Sequence, residues 1–102
     1  MSAFKITDEY FLAQNESIAK KIGSTANICM IVGDRILTVN LGDSRAVLSR
    51  NGMAIDLSVD HKPNMQIETE RISRLGGFVT DNRLFGRLGV SRSFGDFEYK
   101  NY

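Results

Sequence analysis

The sequence predicts an α+β fold, on three observations. Two segments carry helical spacing of apolar residues. Between them lies a set of short β-branched runs, and these runs are separated by two-residue turn signals, Gly33-Asp34 and Asn51-Gly52. The predicted order is helix, antiparallel strands, helix, short hairpin.

Thr7 or Asp8 can cap a first helix running to about Ile22, with Asp8 and Glu9 in the first turn, where the helix dipole favours negative charge. Phe11, Ile18 and Ile22 share one face, Lys20 and Lys21 lie in the last turn, and Gly23 ends the helix. From Ala26 the period changes. Ile28 to Val32 is an unbroken apolar run that reads as a strand covered on both faces, and Cys29 within it reads as a buried, reduced thiol. Gly33-Asp34 turns into a second strand, Arg35 to Leu41. A tight loop, Leu41-Gly42-Asp43-Ser44-Arg45, leads to a third strand, Ala46 to Arg50, and Asn51-Gly52 forms a type I′ turn into a fourth, Met53 to Ser58.

Pro63 and Asn64 open a second helix, about Met65 to Leu75, with Met65, Ile72 and Leu75 as its buried stripe and Glu70 paired with Arg74 outside. Gly76-Gly77 stops it, short extended pieces flank Asp81-Asn82, and the stretch Gly89 to Tyr102 ends without a clear cap. No repeat, low-complexity tract or linker interrupts the chain, so residues 1–102 are expected to form one unit.

The 13 basic and 12 acidic residues are interspersed and give a net charge of +1, so nothing in the charge pattern favours nucleic acid or an acidic membrane surface. No apolar stretch reaches the roughly 20 residues a bilayer requires, and the first residues lack a signal-peptide layout. With one unpaired cysteine, a cytoplasmic or nuclear location is expected.

Taken singly, the short motifs leave two readings open. Asp43 sits in a Gly-Asp-Ser turn, where aspartate often bonds to nearby amides. His61, the only histidine, reads as a capping or loop-bracing residue more readily than as a general base, since no nucleophile elbow accompanies it. Arg83, Arg87 and Arg92 bracket a hairpin, either as a solvated face or with one of them holding a phosphate through its guanidinium fork.

Five blocks in order carry a family resemblance: Gly23-Ser24-Thr25-Ala26; Leu41 through Leu48; Leu57 through Pro63; Glu70-Arg71-Ile72 with Gly76-Gly77; and Leu88 through Asp96. Together they resemble the type 2C metal-dependent protein serine/threonine phosphatases over nearly the whole chain. The resemblance implies a partial two-sheet antiparallel β-sandwich flanked by helices, phosphoserine or phosphothreonine hydrolysis, and a dinuclear Mg²⁺ or Mn²⁺ centre. It places Asp43 at an additional, weaker metal site. It gives the stretch 62–89 to a flap-like region tied to substrate choice, and it puts His61, Lys62, Arg92 and Asp96 near the site as substrate-facing or bracing residues.

The family's Asp-Gly-His segment and its later Asp-Gly and Asp-Asn segments have no counterpart among these residues. The expectation is therefore a single partial domain, inactive alone, with no catalytic residue of its own and no cofactor held by these residues by themselves. A non-catalytic phosphatase-like interaction module is the alternative. The partner would be a phosphoprotein substrate or another protein, and unpaired sheet edges make a homodimer or strand exchange an expectation.

Overall fold

Ser2 rather than Thr7 or Asp8 starts the first helix, because its Oγ accepts the Lys5 backbone N–H at 3.2 Å. The computed structural model describes residues 2–100; Met1 and the last two residues of the stretch expected to end uncapped, Asn101 and Tyr102, lie outside the described residues. Helix α1 spans Ala3–Gln14 and α2 spans Glu16–Lys21, so the single helix expected up to Ile22 is two. The break is at Asn15. Its backbone is extended, its N–H closes α1 on the Phe11 carbonyl at 3.3 Å, and its Oδ1 caps α2 by accepting from Ile18 N at 3.1 Å. Asparagine competes for caps in this way, which the apolar spacing of Phe11 and Ile18 does not reveal.

Among the described residues, four antiparallel two-stranded ladders follow. β1 (Gly23–Ser24) pairs with β8 (Phe94–Gly95), β2 (Ala26–Val32) with β3 (Arg35–Leu41), β4 (Val47–Arg50) with β5 (Met53–Asp56), and β6 (Val79–Thr80) with β7 (Arg83–Leu84). Helix α3, Gln66–Arg74, lies between the second hairpin and the third. The turn signals hold: Asn51 and Gly52 have φ of 51° and 77°, and Asp81 and Asn82 have 52° and 60°, the left-handed pairs that a type I′ turn requires. The α+β class and the short antiparallel strands match expectation.

Three expectations about burial do not hold, for β2, for Cys29 and for Leu75. β2 is not covered on both faces: Ile28 is 46% and Ile31 78% exposed. Cys29 is exposed as well, its Sγ 3.5 Å from Thr38 Oγ1 across the ladder. An apolar run reports that a strand needs cover, but the cover comes from other layers, and among the described residues β2 pairs only with β3. Along α3, Ile72 is buried, whereas Leu75 at the C-terminal end is 42% exposed. Glu70 there accepts from Gln66 Nε2 at 2.9 Å.

The buried apolar set is small: Ala19, Ala46, Ile72 and Leu84, with Pro63 fully enclosed. A radius of gyration of 15.3 Å exceeds the roughly 13 Å of a closed domain this long. Beside this small core, polar clamps join segments distant in the chain. Asp8, which lies inside α1 rather than at its cap, accepts from Gly95 N at 2.7 Å and from Lys100 Nζ at 2.6 Å, so it joins the two ends of the chain. Lys100 also donates to the Ser93 carbonyl at 2.7 Å. Phe4 packs edge-on against Phe94 at 5.2 Å beside this clamp.

Gly23 does more than end a helix. It opposes Gly95 in the β1–β8 ladder, and a Cβ at position 23 would collide with the Asp96 carboxylate. Asp96 is buried and accepts from Ser93 Oγ at 2.6 Å, so its carboxylate cannot swing away cheaply. Gly23→Ala is expected to destabilise the chain by about 1–3 kcal/mol in urea unfolding, the usual cost of overpacking; unchanged stability would show that the Asp96 side chain is free to move.

Candidate functional site

The residues singled out by sequence fall into three places. Asp43 follows β3 at the bend after Gly42, and its carboxylate pairs with Lys62 Nζ at 2.5 Å, the two side chains being 28% and 44% exposed. The pair lines a polar cleft of about 500 Å³ with Asn64, Asp81, Asn82 and Arg83. His61, beside Lys62, braces this bend from both sides of its peptide. Its N–H donates to the Gly42 carbonyl at 2.9 Å, and its Nδ1 accepts the Gly42 N–H at 2.9 Å. Nδ1 must be unprotonated to accept, and burial, followed by the nearby Arg92 charge, pushes the imidazole below its ordinary pKa. Gly42 itself is buried with φ +100°, so a side chain here would be strained and would strike Thr25.

Next to the bend, Arg45 grips Asp60 through two bonds, Nε to Oδ1 at 3.1 Å and Nη2 to Oδ2 at 2.7 Å. The hydrogen bond from Arg45 holds the Asp60 carboxyl below its usual range. This pair ties the start of β4 to the loop that carries His61 and Lys62.

Arg92 occupies a second place, where its guanidinium pairs with Glu68. Nη2 lies 2.8 Å from Oε1 and Nε 3.1 Å from Oε2. Arg71, one turn along α3, approaches the same carboxylate at 2.9 Å. Glu68 is only 3% exposed, so burial pushes its pKa up; the hydrogen bonds from Arg92 and then Arg71 overcome this and bring it from 4.5 down to about 2. Sequence reading missed Glu68. The available signal was its position on the stripe of Met65 and Ile72, where a carboxylate on a buried face calls for cationic partners.

Asp96 is in a third place. It sits under β1, bonded to Ser93 Oγ, with its N–H on the Ile22 carbonyl at 2.9 Å. It lines a separate cavity of about 450 Å³, shared with Asp8, Arg71, Ile72, Arg92 and Lys100. Of the other two arginines, Arg83 donates to the Arg87 carbonyl at 2.8 Å, and both are exposed. Among the described residues no group of three or more His, Cys, Asp or Glu side chains could hold a metal ion, and no helix is long and apolar enough to cross a membrane.

The Glu68 shift sets a pH dependence. Its folded pKa is depressed, so its contribution is full above about 4.5 and is lost as pH falls toward about 2. Glu68→Gln is expected to cost about 3 kcal/mol at neutral pH, and the gap from the parent chain should narrow as pH falls through that window. Urea unfolding at several pH values measures this; a gap constant with pH would mean that the charge contributes nothing.

Comparison with known proteins agrees with the arrangement of blocks. The family model described as Protein phosphatase 2C matches residues 2–102. The chain is 54% identical over 78 residues to protein phosphatase ppm-1.G of Caenorhabditis elegans, covering 76% of this chain and 16% of that protein. It is 45% identical over 105 residues to "Probable protein phosphatase 2C 11" of Arabidopsis thaliana, covering 100% of this chain and 28% of that one. The chain thus spans less than a third of the length of either relative. A crystal structure of a phosphatase from Toxoplasma gondii superposes with a TM-score of 0.63 at 20% identity, over 93% of this chain and 42% of that chain, a likeness of fold alone. The ordered blocks from Gly23 to Asp96 and the match along residues 2–102 together make this chain a member of the protein phosphatase 2C family.

Proposed function

We propose that this chain is the central portion of a Mg²⁺- or Mn²⁺-dependent protein serine/threonine phosphatase that hydrolyses phosphoserine and phosphothreonine esters. The observation that supports it most is the family match along residues 2–102. Residues 1–102 are assigned to one partial domain, with 62–89, comprising α3 and the β6–β7 hairpin, as the flap-like region beside the site. A cytoplasmic or nuclear location belongs to the same proposal, on the single unpaired cysteine.

The described side chains do not by themselves fit a dinuclear centre, since no acidic cluster is present among them and one Asp43 oxygen is already ion-paired with Lys62. The role proposed for this chain is to shape and orient. Asp43 offers one hard oxygen to a weaker cation site once Lys62 gives way. Lys62 and Arg83 line the cleft beside Asp43 and Asp81, and they are the two cations there that a phosphorylated peptide would pair with once Lys62 releases Asp43. His61 fixes the turn that carries Asp43. Arg92 and Asp96 brace the segments beneath.

Replacing the matched region of a full-length relative with this sequence tests the proposal. The chimera is expected to release phosphate from a phosphothreonine peptide with Mn²⁺ dependence, and Asp43→Asn to raise the Mn²⁺ requirement about tenfold or more. A folded chimera that is silent at every Mn²⁺ concentration would instead support the non-catalytic interaction module.

For the 102-residue chain in solution we also propose self-association through the β2–β3 hairpin, whose outer edges and exposed Ile28, Met30, Ile31 and Val32 can pair with a second copy. Light scattering is expected to give twice the chain mass at micromolar concentration. A monomer throughout that range would contradict it.

A further inference from the structure

The Asp43 turn and Glu68 lie on different elements, yet a continuous set of bonds joins them. Arg71 Nη2 donates both to Glu68 Oε2 at 2.9 Å and to the Ser91 carbonyl at 3.0 Å. Ser91 N donates to the His61 carbonyl at 3.1 Å, and His61 makes its reciprocal pair with Gly42 at 2.9 Å each way. The next residue along, Arg92, returns to Glu68 through its guanidinium. Its carbonyl lies 3.2 Å from where a Gly42 Cβ would stand, so the backbones at 42 and 92 are in close approach. One carboxylate therefore holds Arg92 directly and Ser91 through Arg71; Ser91 in turn bonds the His61 carbonyl, and the Arg92 backbone, with Thr25, closes over Gly42.

We infer that Glu68 is a positioning residue, which through Arg71, Arg92 and Ser91 sets the Gly42–Asp43 turn and its Lys62 partner. Remove the charge, and two guanidiniums face each other without a counter-ion. Their side chains are 33% and 43% exposed, so both have a path to water. Arg71 then leaves the Ser91 carbonyl, and the 91–92 backbone loses its tie to α3. A second anchor competes with this route: Asn40 Nδ2 donates to the Gly42 carbonyl at 3.1 Å and to the Val59 carbonyl at 2.9 Å. The inference is that Asn40 alone does not hold the turn. That the turn borders the chemistry rests on the function proposed above, whereas the coupling stands apart from it.

Amide hydrogen exchange on the full chain, read residue by residue by NMR, tests the coupling without any activity measurement, so a silent chimera and an uncoupled Glu68 are separate results. Glu68→Gln is expected to speed exchange at Ser91, His61 and Gly42 about tenfold or more, the equivalent of losing one charge-assisted hydrogen bond, while the β4–β5 ladder keeps its rates. Glu70→Gln, which removes a carboxylate from the exposed side of the same helix, is expected to leave all of these amides unchanged. A purely structural role in α3 would speed the helix amides and leave Gly42 and His61 at parent rates; that result overturns the inference, as does equal acceleration of β4–β5. If Glu68→Gln does not fold, the parent chain decides. Protection at Gly42, His61 and Ser91 within about a factor of ten of one another supports a shared opening, and a wider spread overturns it.

Discussion

On helix α3 a buried carboxylate, Glu68, is held between two arginines, Arg71 and Arg92. Glu68 could not lie 3% exposed on the same face as Ile72 without counter-charges, since desolvation alone would drive it to its neutral form. Arg92 and Arg71 reverse that tendency strongly enough to bring its pKa to about 2. The geometry matters as much as the charge. Arg71 comes from the same helix and Arg92 from 24 residues along the chain, so the pair of bonds fixes α3 against the segment that runs into β8.

The small apolar core explains why such ties count for so much here. With few fully buried side chains, segments are joined by specific polar contacts: Asp8 to Gly95 and Lys100, Arg45 to Asp60, Asn40 to the Gly42 and Val59 carbonyls. The β2–β3 hairpin lies at the other extreme, fully laddered along seven residue pairs and open on its faces. A partial member of a larger fold family has this character, with strands complete in register and incomplete in cover, and the share of each relative that the chain spans agrees with it.

What the sequence made legible was local. Asn51-Gly52 and Asp81-Asn82 specify positive φ by their own steric preferences, and both turns formed. The helix at Gln66–Arg74 and the strand at Arg35–Leu41 followed from period and flanking breakers. Misread features depended on partners distant in the chain or on competition for a cap. Asn15 divided a helix because its side chain found Ile18 N. Asp8 looked like a first-turn acid and is instead a clamp on residues near the other end. Cys29 and β2 read as buried because apolarity was taken for cover. For the candidate site, the Asp43 turn and the loop-bracing His61 were legible, but the Lys62 pairing was not, nor was the dependence of Arg92 on Glu68, because no spacing rule links residues 19 or 24 apart.

The most direct measurement of this account is the ionisation of Glu68 itself, followed through the chemical shift of its side-chain carboxyl carbon as the folded chain is taken to acid. The carboxyl is expected to stay ionised well below the ordinary glutamate value of 4.5, with a midpoint at about 2 or unfolding before that midpoint is reached. A folded chain whose Glu68 titrates near 4.5 would show that the arginines do not hold the carboxylate, and the account of α3, Arg92 and the Asp43 turn would fail with it.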